Sequence, residues 1–189
     1  MILMTANANK TWFIAISIIL CLATFVMAKE KLTRFPGEIS QISSPNKTYL
    51  LSNIDDDKSP PYHTLFLKDL KNNTNEKLFF YNRYVDVLWS PKGTGLIVND
   101  HGGSDYANSI IFLLNGVKKS VDLKATLRQK ISENKSIFGN HHVYIEGMEW
   151  VDENRVKVKI SGYGDIDPNG FEIWYEYTIG NGFKRIKRK

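Results

Sequence analysis

The chain repeats itself. Ser44-Pro45-Asn46-Lys47-Thr48 returns as Ser90-Pro91-Lys92-Gly93-Thr94, an offset of 46 residues. In the same register Leu50-Leu51 falls on Leu96-Ile97, Asn53 on Asn99, and Leu65-Phe66-Leu67 on Ile111-Phe112-Leu113. A period of this size marks stacked supersecondary units, none of which can bury its apolar face alone. Each copy opens on a turn in which Pro presets φ and Asn or Gly takes the tight conformation. Strand-like runs follow at 48–53, 62–69 and 76–81, then at 84–89, 94–100 and 108–114. Val85 and Val87 alternate with Asp86, the pattern of a strand with two different faces.

A third, looser copy spans 142–187. Glu149-Trp150-Val151-Asp152-Glu153-Asn154 corresponds to Leu88-Trp89-Ser90-Pro91-Lys92-Gly93, and Val156, Val158 and Ile160 alternate behind it. Asp167-Pro168-Asn169-Gly170 and Gly180-Asn181-Gly182 are turn signals on either side of a strand at 171–179. Between copies two and three the spacing predicts one helix, Val121 to Ile131. Ser120 would be its cap, and Leu123, Leu127 and Ile131 form its apolar stripe.

Two stretches carry a family resemblance. Trp89-Ser90-Pro91-Lys92-Gly93-Thr94-Gly95-Leu96-Ile97-Val98 and Leu65-Phe66-Leu67-Lys68-Asp69-Leu70 resemble the repeat of TolB-type and WD-repeat-like β-propellers. The resemblance covers residues 38–115 and, loosely, 142–187. It implies an all-β fold, a propeller-like array of about three antiparallel blade units with one short inserted helix. It also implies a binding or scaffold role, but no particular chemistry, because propellers host many functions. Three blades are fewer than the 4–8 of a closed propeller. The expectation is therefore an open array, a sandwich-like collapse, or completion by a second copy, with open blade edges as a route to oligomers.

A polar start with Lys10 precedes the apolar run Trp12 to Met27, and Val26-Met27-Ala28 ends it before Lys29-Glu30-Lys31. A basic start, a short apolar stretch and a small-residue exit describe a secretory signal peptide over 1–28. The run is shorter than the ~20 residues needed to span a bilayer. The expectation is a single domain over 29–189, periplasmic or secreted, with no transmembrane segment after cleavage. Cys21 is the one cysteine and lies in the leader, so the exported chain would hold no disulfide, thiolate metal site or cysteine nucleophile.

The net charge of +5 is local. Lys184, Arg185, Lys187, Arg188 and Lys189 form a basic C-terminal tail (184–189), and the rest of the exported chain is close to neutral. A nucleic-acid partner would need basic residues spread over one face, so none is expected. The tail is read as solvated, or as a contact for an anionic partner.

No nucleophile elbow, phosphate loop, dinucleotide fingerprint or metalloprotease motif is present. Gly102-Gly103-Ser104-Asp105 beside His101 reads as a flexible inter-strand loop rather than a catalytic serine. His141 and His142 are adjacent, so on a strand they face opposite ways and cannot chelate one ion together. The run from Asp165 to Glu176 has the spacing of a calcium loop. However, Phe171 to Tyr177 alternates as a strand, which favours a hairpin turn. No catalytic residue is assigned and the metal set is left unknown.

The candidate binding residues are acidic. After the first strand of each repeat comes a loop with carboxylates: Asp55, Asp56 and Asp57 in copy one, Asp100 and Asp105 in copy two, Asp165 and Asp167 in copy three. Units stacked side by side would gather them on one rim, which would suit a basic protein surface or, as the one cofactor considered, Ca²⁺. The function expected is a non-enzymatic binding or scaffold protein contacting another envelope protein. The alternatives are a periplasmic inhibitor or immunity protein, and an envelope hydrolase using the acidic loops. Mass spectrometry of the exported protein should find it cleaved after Ala28; a full-length mass in a membrane fraction would make the leader an anchor.

Overall fold

Two turns of one construction set the architecture. The Ser44 amide donates to the Tyr49 carbonyl and the Lys47 amide to the Ser44 carbonyl; in the next copy Ser90 donates to Gly95 and Gly93 to Ser90. Each serine hydroxyl then accepts the amide that closes the turn, from Tyr49 and from Gly95, both at 2.9 Å. The turn needs a left-handed residue just before its threonine, filled by Lys47 (φ 57°) and Gly93 (φ 68°). A Cβ on Gly93 would come within 2.9 Å of Asn46 Oδ1. The two turns therefore lie against one another.

The computed structural model describes residues 32–187 except 57, 117 and 131–136, so the leader expected over 1–28 lies outside the described residues. Among the described residues, unit 1 is the four-stranded sheet β2 (Gln41–Ser43), β3 (Tyr49–Asp55), β4 (His63–Asp69) and β5 (Thr74–Tyr81), antiparallel in that order. Unit 2 is β6 (Val85–Trp89), β7 (Gly95–Asp100), β8 (Tyr106–Leu113) and β9 (Lys119–Asp122). Unit 3 is β10 (His142–Asp152), β11 (Arg155–Tyr163), β12 (Phe171–Thr178) and β13 (Gly182–Ile186). A short β1 (Thr33–Phe35) pairs antiparallel with β6. A parallel contact, Tyr106 with Val143 and Ala107 with Tyr144, joins units 2 and 3 into a nine-stranded sheet. The fold is mostly β, in two sheets, and neither closes on itself.

One bond recurs in all three units. The residue leaving the third strand donates its amide to the carbonyl just before the second: Leu70 to Thr48, Leu114 to Thr94 and Ile179 to Asn154, each at 2.9 Å. The repeat is not gapless, however. Leu51 pairs with Leu67 and Ile97 with Ile111, so Leu67 matches Ile111, not Leu113. The loop between β7 and β8 is two residues shorter than that between β3 and β4. A two-residue change preserves which face each side chain takes, which is why the apolar pattern looks continuous across it.

The helix starts later than its stripe suggests. Ser120 and Val121 belong to β9, and α1 is Leu123–Lys130. Asp122 is its cap, its carboxylate accepting the Ala125 amide at 2.9 Å. Leu123 and Leu127 are fully buried; Ile131 lies outside the described residues. The basic tail also begins as structure, since Lys184 and Arg185 sit in β13 opposite Glu176 and Tyr175.

Unit 2 is buried on both sides. Val85, Val87, Trp89, Leu96 and Val98 pack on Leu51, Leu65, Leu67 and Tyr81 of unit 1. From the opposite face Leu88, Ile97 and Ile111 meet Val143, Ile145, Trp150, Val156 and Val158 of unit 3, together with the two helix leucines. The unbroken run Leu96-Ile97-Val98 is the sequence trace of this double burial. Trp89 lies at the junction of units 1 and 2, its ring stacked at 6.5 Å on Tyr49.

A polar clamp holds units 2 and 3 in register. The buried Asn99 side chain donates to the Gly147 carbonyl at 2.9 Å and accepts the Gly147 amide at 2.8 Å. Ser109 donates to Asn99 Oδ1 and its hydroxyl also receives the Gly147 amide. A Cβ at Gly147 would meet Ile97 Cγ2 at 2.8 Å, so the strand comes this close only with glycine there. At the turn end, Glu153 of unit 3 accepts hydrogen bonds from the Ser90 hydroxyl, the Lys92 amide and the Thr94 hydroxyl of unit 2.

Leu50 and Leu96 are repeat-equivalent, yet only Leu96 lies in the core. Leu50 faces outward from unit 1 and its neighbour Leu51 is the fully buried one. In denaturant melts Leu51→Ala and Leu96→Ala should each lose about 2–5 kcal/mol, while Leu50→Ala should lose less than about 1.5 kcal/mol.

Candidate binding rim

The loops carrying the acidic residues leave from one end of each unit. In unit 1 that end is Asp55 opposite His63 opposite Tyr81. In unit 2 it is Asp100 opposite Val85 and Asn108. In unit 3 it is Tyr163 opposite His142. Units 2 and 3 adjoin here directly: the Val143 amide donates to the Asp105 carbonyl at 3.1 Å, and the Tyr144 hydroxyl to the Ser104 carbonyl at 2.7 Å.

All four histidines stand at this end, three of them with a carboxylate, and three stack on a tyrosine. His63 Nδ1 lies 2.7 Å from Asp55 and its ring stacks on Tyr81 at 4.9 Å. His101 stacks on Tyr84 at 4.5 Å, with Nε2 3.2 Å from Asp86 Oδ2 but off the hydrogen-bonding direction. His142 stacks on Tyr163 at 4.1 Å. His141 turns instead to Asp165, 2.8 Å away. The two adjacent histidines thus serve different partners.

Most of the expected carboxylates are already engaged. Asp55 accepts from Asn53 as well as facing His63. Asp56 accepts the Lys58 amide within its own loop; Asp57 lies outside the described residues. Asp167 accepts from Asn140, and its carbonyl receives the Gly164 and Gly170 amides. Asp100 is a different case. Burial raises its pKa from the ordinary carboxylate value, the nearby His101 opposing the shift, and Oδ1 has no hydrogen-bond partner. Asp100 and Asp105 both act on Tyr106, whose hydroxyl is held above its ordinary pKa by burial first and then by these two charges.

The rim therefore brings Asp100 and Asp105 together around Tyr106, and sets Asp165 and Asp167 beside His141 and Asn140. Among the described residues no three histidine, cysteine or acidic side chains converge to hold a metal ion. The calcium-like spacing does not become a loop: Glu176 lies in β12 opposite Lys157 and is bonded by Arg155 at 3.3 Å. His101 is turned to Tyr84 and Asp86, and Ser104 meets Tyr144 through its carbonyl, so the Gly102–Asp105 segment builds an inter-strand loop.

What the acidic reading misses is aromatic. Tyr62, Tyr106, Tyr163 and Ile166, at 37–52% exposure, all sit in or beside these loops. The available signal was positional, since each lies at a predicted strand end or loop where burial is least. No known family model, characterised protein or solved structure matches the chain.

Asp86 anchors the inner edge of the rim. Arg34 of β1 reaches it with two hydrogen bonds, at 2.9 and 3.0 Å, and lies over the Tyr84 ring at 4.2 Å. Burial alone would raise the Asp86 pKa. The contacts from His101 and Arg34, and their charges, outweigh it and bring the group from 3.8 to about 2. The folded carboxyl thus ionises below its unfolded value, and its stabilisation is present above about pH 4 and lost toward pH 2. Asp86→Asn should lower stability by about 1–2 kcal/mol at neutral pH, the exposed Arg34 screening part of the effect. Denaturant melts down the pH scale should show that gap closing; a constant gap would mean that Asp86 acts through shape alone.

Proposed function

We propose that the chain is an exported, non-enzymatic binding protein of the periplasm or the extracellular space. It contacts another protein of that compartment through the rim. Its three units are degenerate blades of a propeller-like array, in the manner of the TolB-type and WD-repeat-like repeats they resemble. The observation that carries the reading is that Tyr62, Tyr106, Tyr163 and Ile166 are exposed at the loop end that also holds the Asp and His pairs. Exposed tyrosines with polar groups around them are the composition of protein interfaces, where a few aromatic anchors supply most of the binding energy. Support for blades comes from the bond repeated in all three units and from the burial of unit 2 between its neighbours.

Asp56 and Asp105 are the exposed rim carboxylates for which no side-chain partner is seen among the described residues, so the partner's surface is basic near them. An inhibitor or immunity protein would use the same rim, and the identity of the captured partner separates that reading from a scaffold. Cross-linking in envelope extract, with the partner identified by mass spectrometry, supplies the ligand. Tyr106→Ala and Tyr163→Ala should each weaken its binding about thirtyfold, the scale of an interface anchor. Replacing Asp56, Asp105 and Asp167 together with Asn should flatten the salt dependence of binding. Affinity unchanged by all of these would remove the rim as the contact.

A further inference from the structure

The outer face of unit 1 is built differently from that of unit 3. Unit 3 presents water with a ladder of paired charges: Lys157 with Glu149 at 2.9 Å, Lys159 with Glu146 at 2.6 Å, and Arg155 with Glu176. That face is finished. The corresponding face of unit 1 carries Leu50, Ile54 and Phe66 from β3 and β4 and Phe80 from β5, with Ile54 53% and Phe80 51% exposed. Ile54 and Phe80 flank Thr64 in one row across the three strands, with Phe66 diagonal to both.

The charges on the outer face of this sheet are sorted along its strands. At the turn end Lys68 and Lys77 share the outer face, Lys77 lying over the Phe80 ring at 5.7 Å. At the opposite end of that face stands Asp56, two residues beyond Ile54, with its amide donating to the Tyr62 carbonyl; Asp55 lies on the inner face against His63. The face thus has an apolar middle, two lysines at one end and the Asp56 carboxylate at the other. Such a surface complements itself once turned end for end.

We propose that this face is a homodimer interface, in which unit 1 of one copy packs on unit 1 of a second. The twofold axis lies between the two sheets and across their strands, so the strands of the two copies run oppositely. Sheets packed this way lie about 10 Å apart with strands nearly aligned. Ile54 and Phe80 are then removed from water, and Lys68 and Lys77 of one copy approach Asp56 of the other. The same patch serves both subunits, as a twofold contact requires. A twofold axis parallel to the strands is disfavoured, because it would set lysine against lysine and aspartate against aspartate. Head-to-tail stacking on unit 3 is disfavoured too, because it would bury that unit's paired charges.

Sedimentation equilibrium of the purified protein tests this, with thermal melts confirming that each variant is folded. The protein should be dimeric at micromolar concentration, and Phe80→Glu or Ile54→Lys should each weaken association at least about a hundredfold. Lys68→Glu should weaken it about tenfold, and adding Asp56→Lys to that variant should restore it, because each reversed charge then faces its opposite on the other copy. A monomer at about 100 µM, a dimer indifferent to both Phe80→Glu and Ile54→Lys, or a double reversal no better than Lys68→Glu alone would each overturn the proposal. Asp56 is shared with the rim, so the two surfaces are separated by other residues: Tyr106→Ala and Tyr163→Ala should leave the dimer intact, and Phe80→Glu should leave the rim contact intact.

Discussion

Strands β6 and β7 have no face left for water, and the rest of the molecule follows from that constraint. A sheet buried on both sides must have a neighbour on each. Unit 1 supplies Leu51, Leu65, Leu67 and Tyr81 on one side, and unit 3 with helix α1 supplies the other. Neither outer unit has to be buried twice, so the unbroken Leu96-Ile97-Val98 of β7 marks the middle of the stack. The burden of specificity falls on polar groups inside the stack. Apolar faces slide past one another with little penalty, whereas the Asn99–Gly147 pair is satisfied in a single register.

The comparison of Asn53 with Asn99 shows how one repeat position serves two ends. Both follow the same turn by the same number of residues and both point inward. In unit 2 the carboxamide bonds the backbone of the next unit. In unit 1 it is bonded by the Tyr81 hydroxyl and reaches Asp55 within its own sheet. The residue is the same, but the neighbour across the interface is a bulged strand in one case and an apolar face in the other.

Much of the fold was legible because turn chemistry and period-two alternation are local. The Ser-Pro turns, the six strands of the first two repeats and the two hairpins of the third can be read from a few residues each. β1, β2 and β9 could not be, since three or four residues carry too little pattern, and the pairing of β1 is decided by the distant β6. Ser120 looked like a cap because it precedes an apolar stripe, yet pairing with Phe112 keeps it in a strand. The rim was half legible. Its carboxylates announce themselves in loops, but that His63, His101 and His141 stand against aspartates depends on cross-strand geometry that spacing does not encode.

The path of the chain at β1 bears on how the molecule can change. Phe35 and Val85 are partners in the ladder, so the backbone leaves the large sheet and returns to it at the same place, with unit 1 as the excursion between. An element whose two ends are stitched together is modular: it can be exchanged for another four-stranded unit, or followed by a duplicate, without redirecting the chain elsewhere. Lengthening the stack by gene duplication is therefore topologically cheapest at this point. The requirement on any newcomer is an apolar face to shield Val85, Val87 and Trp89.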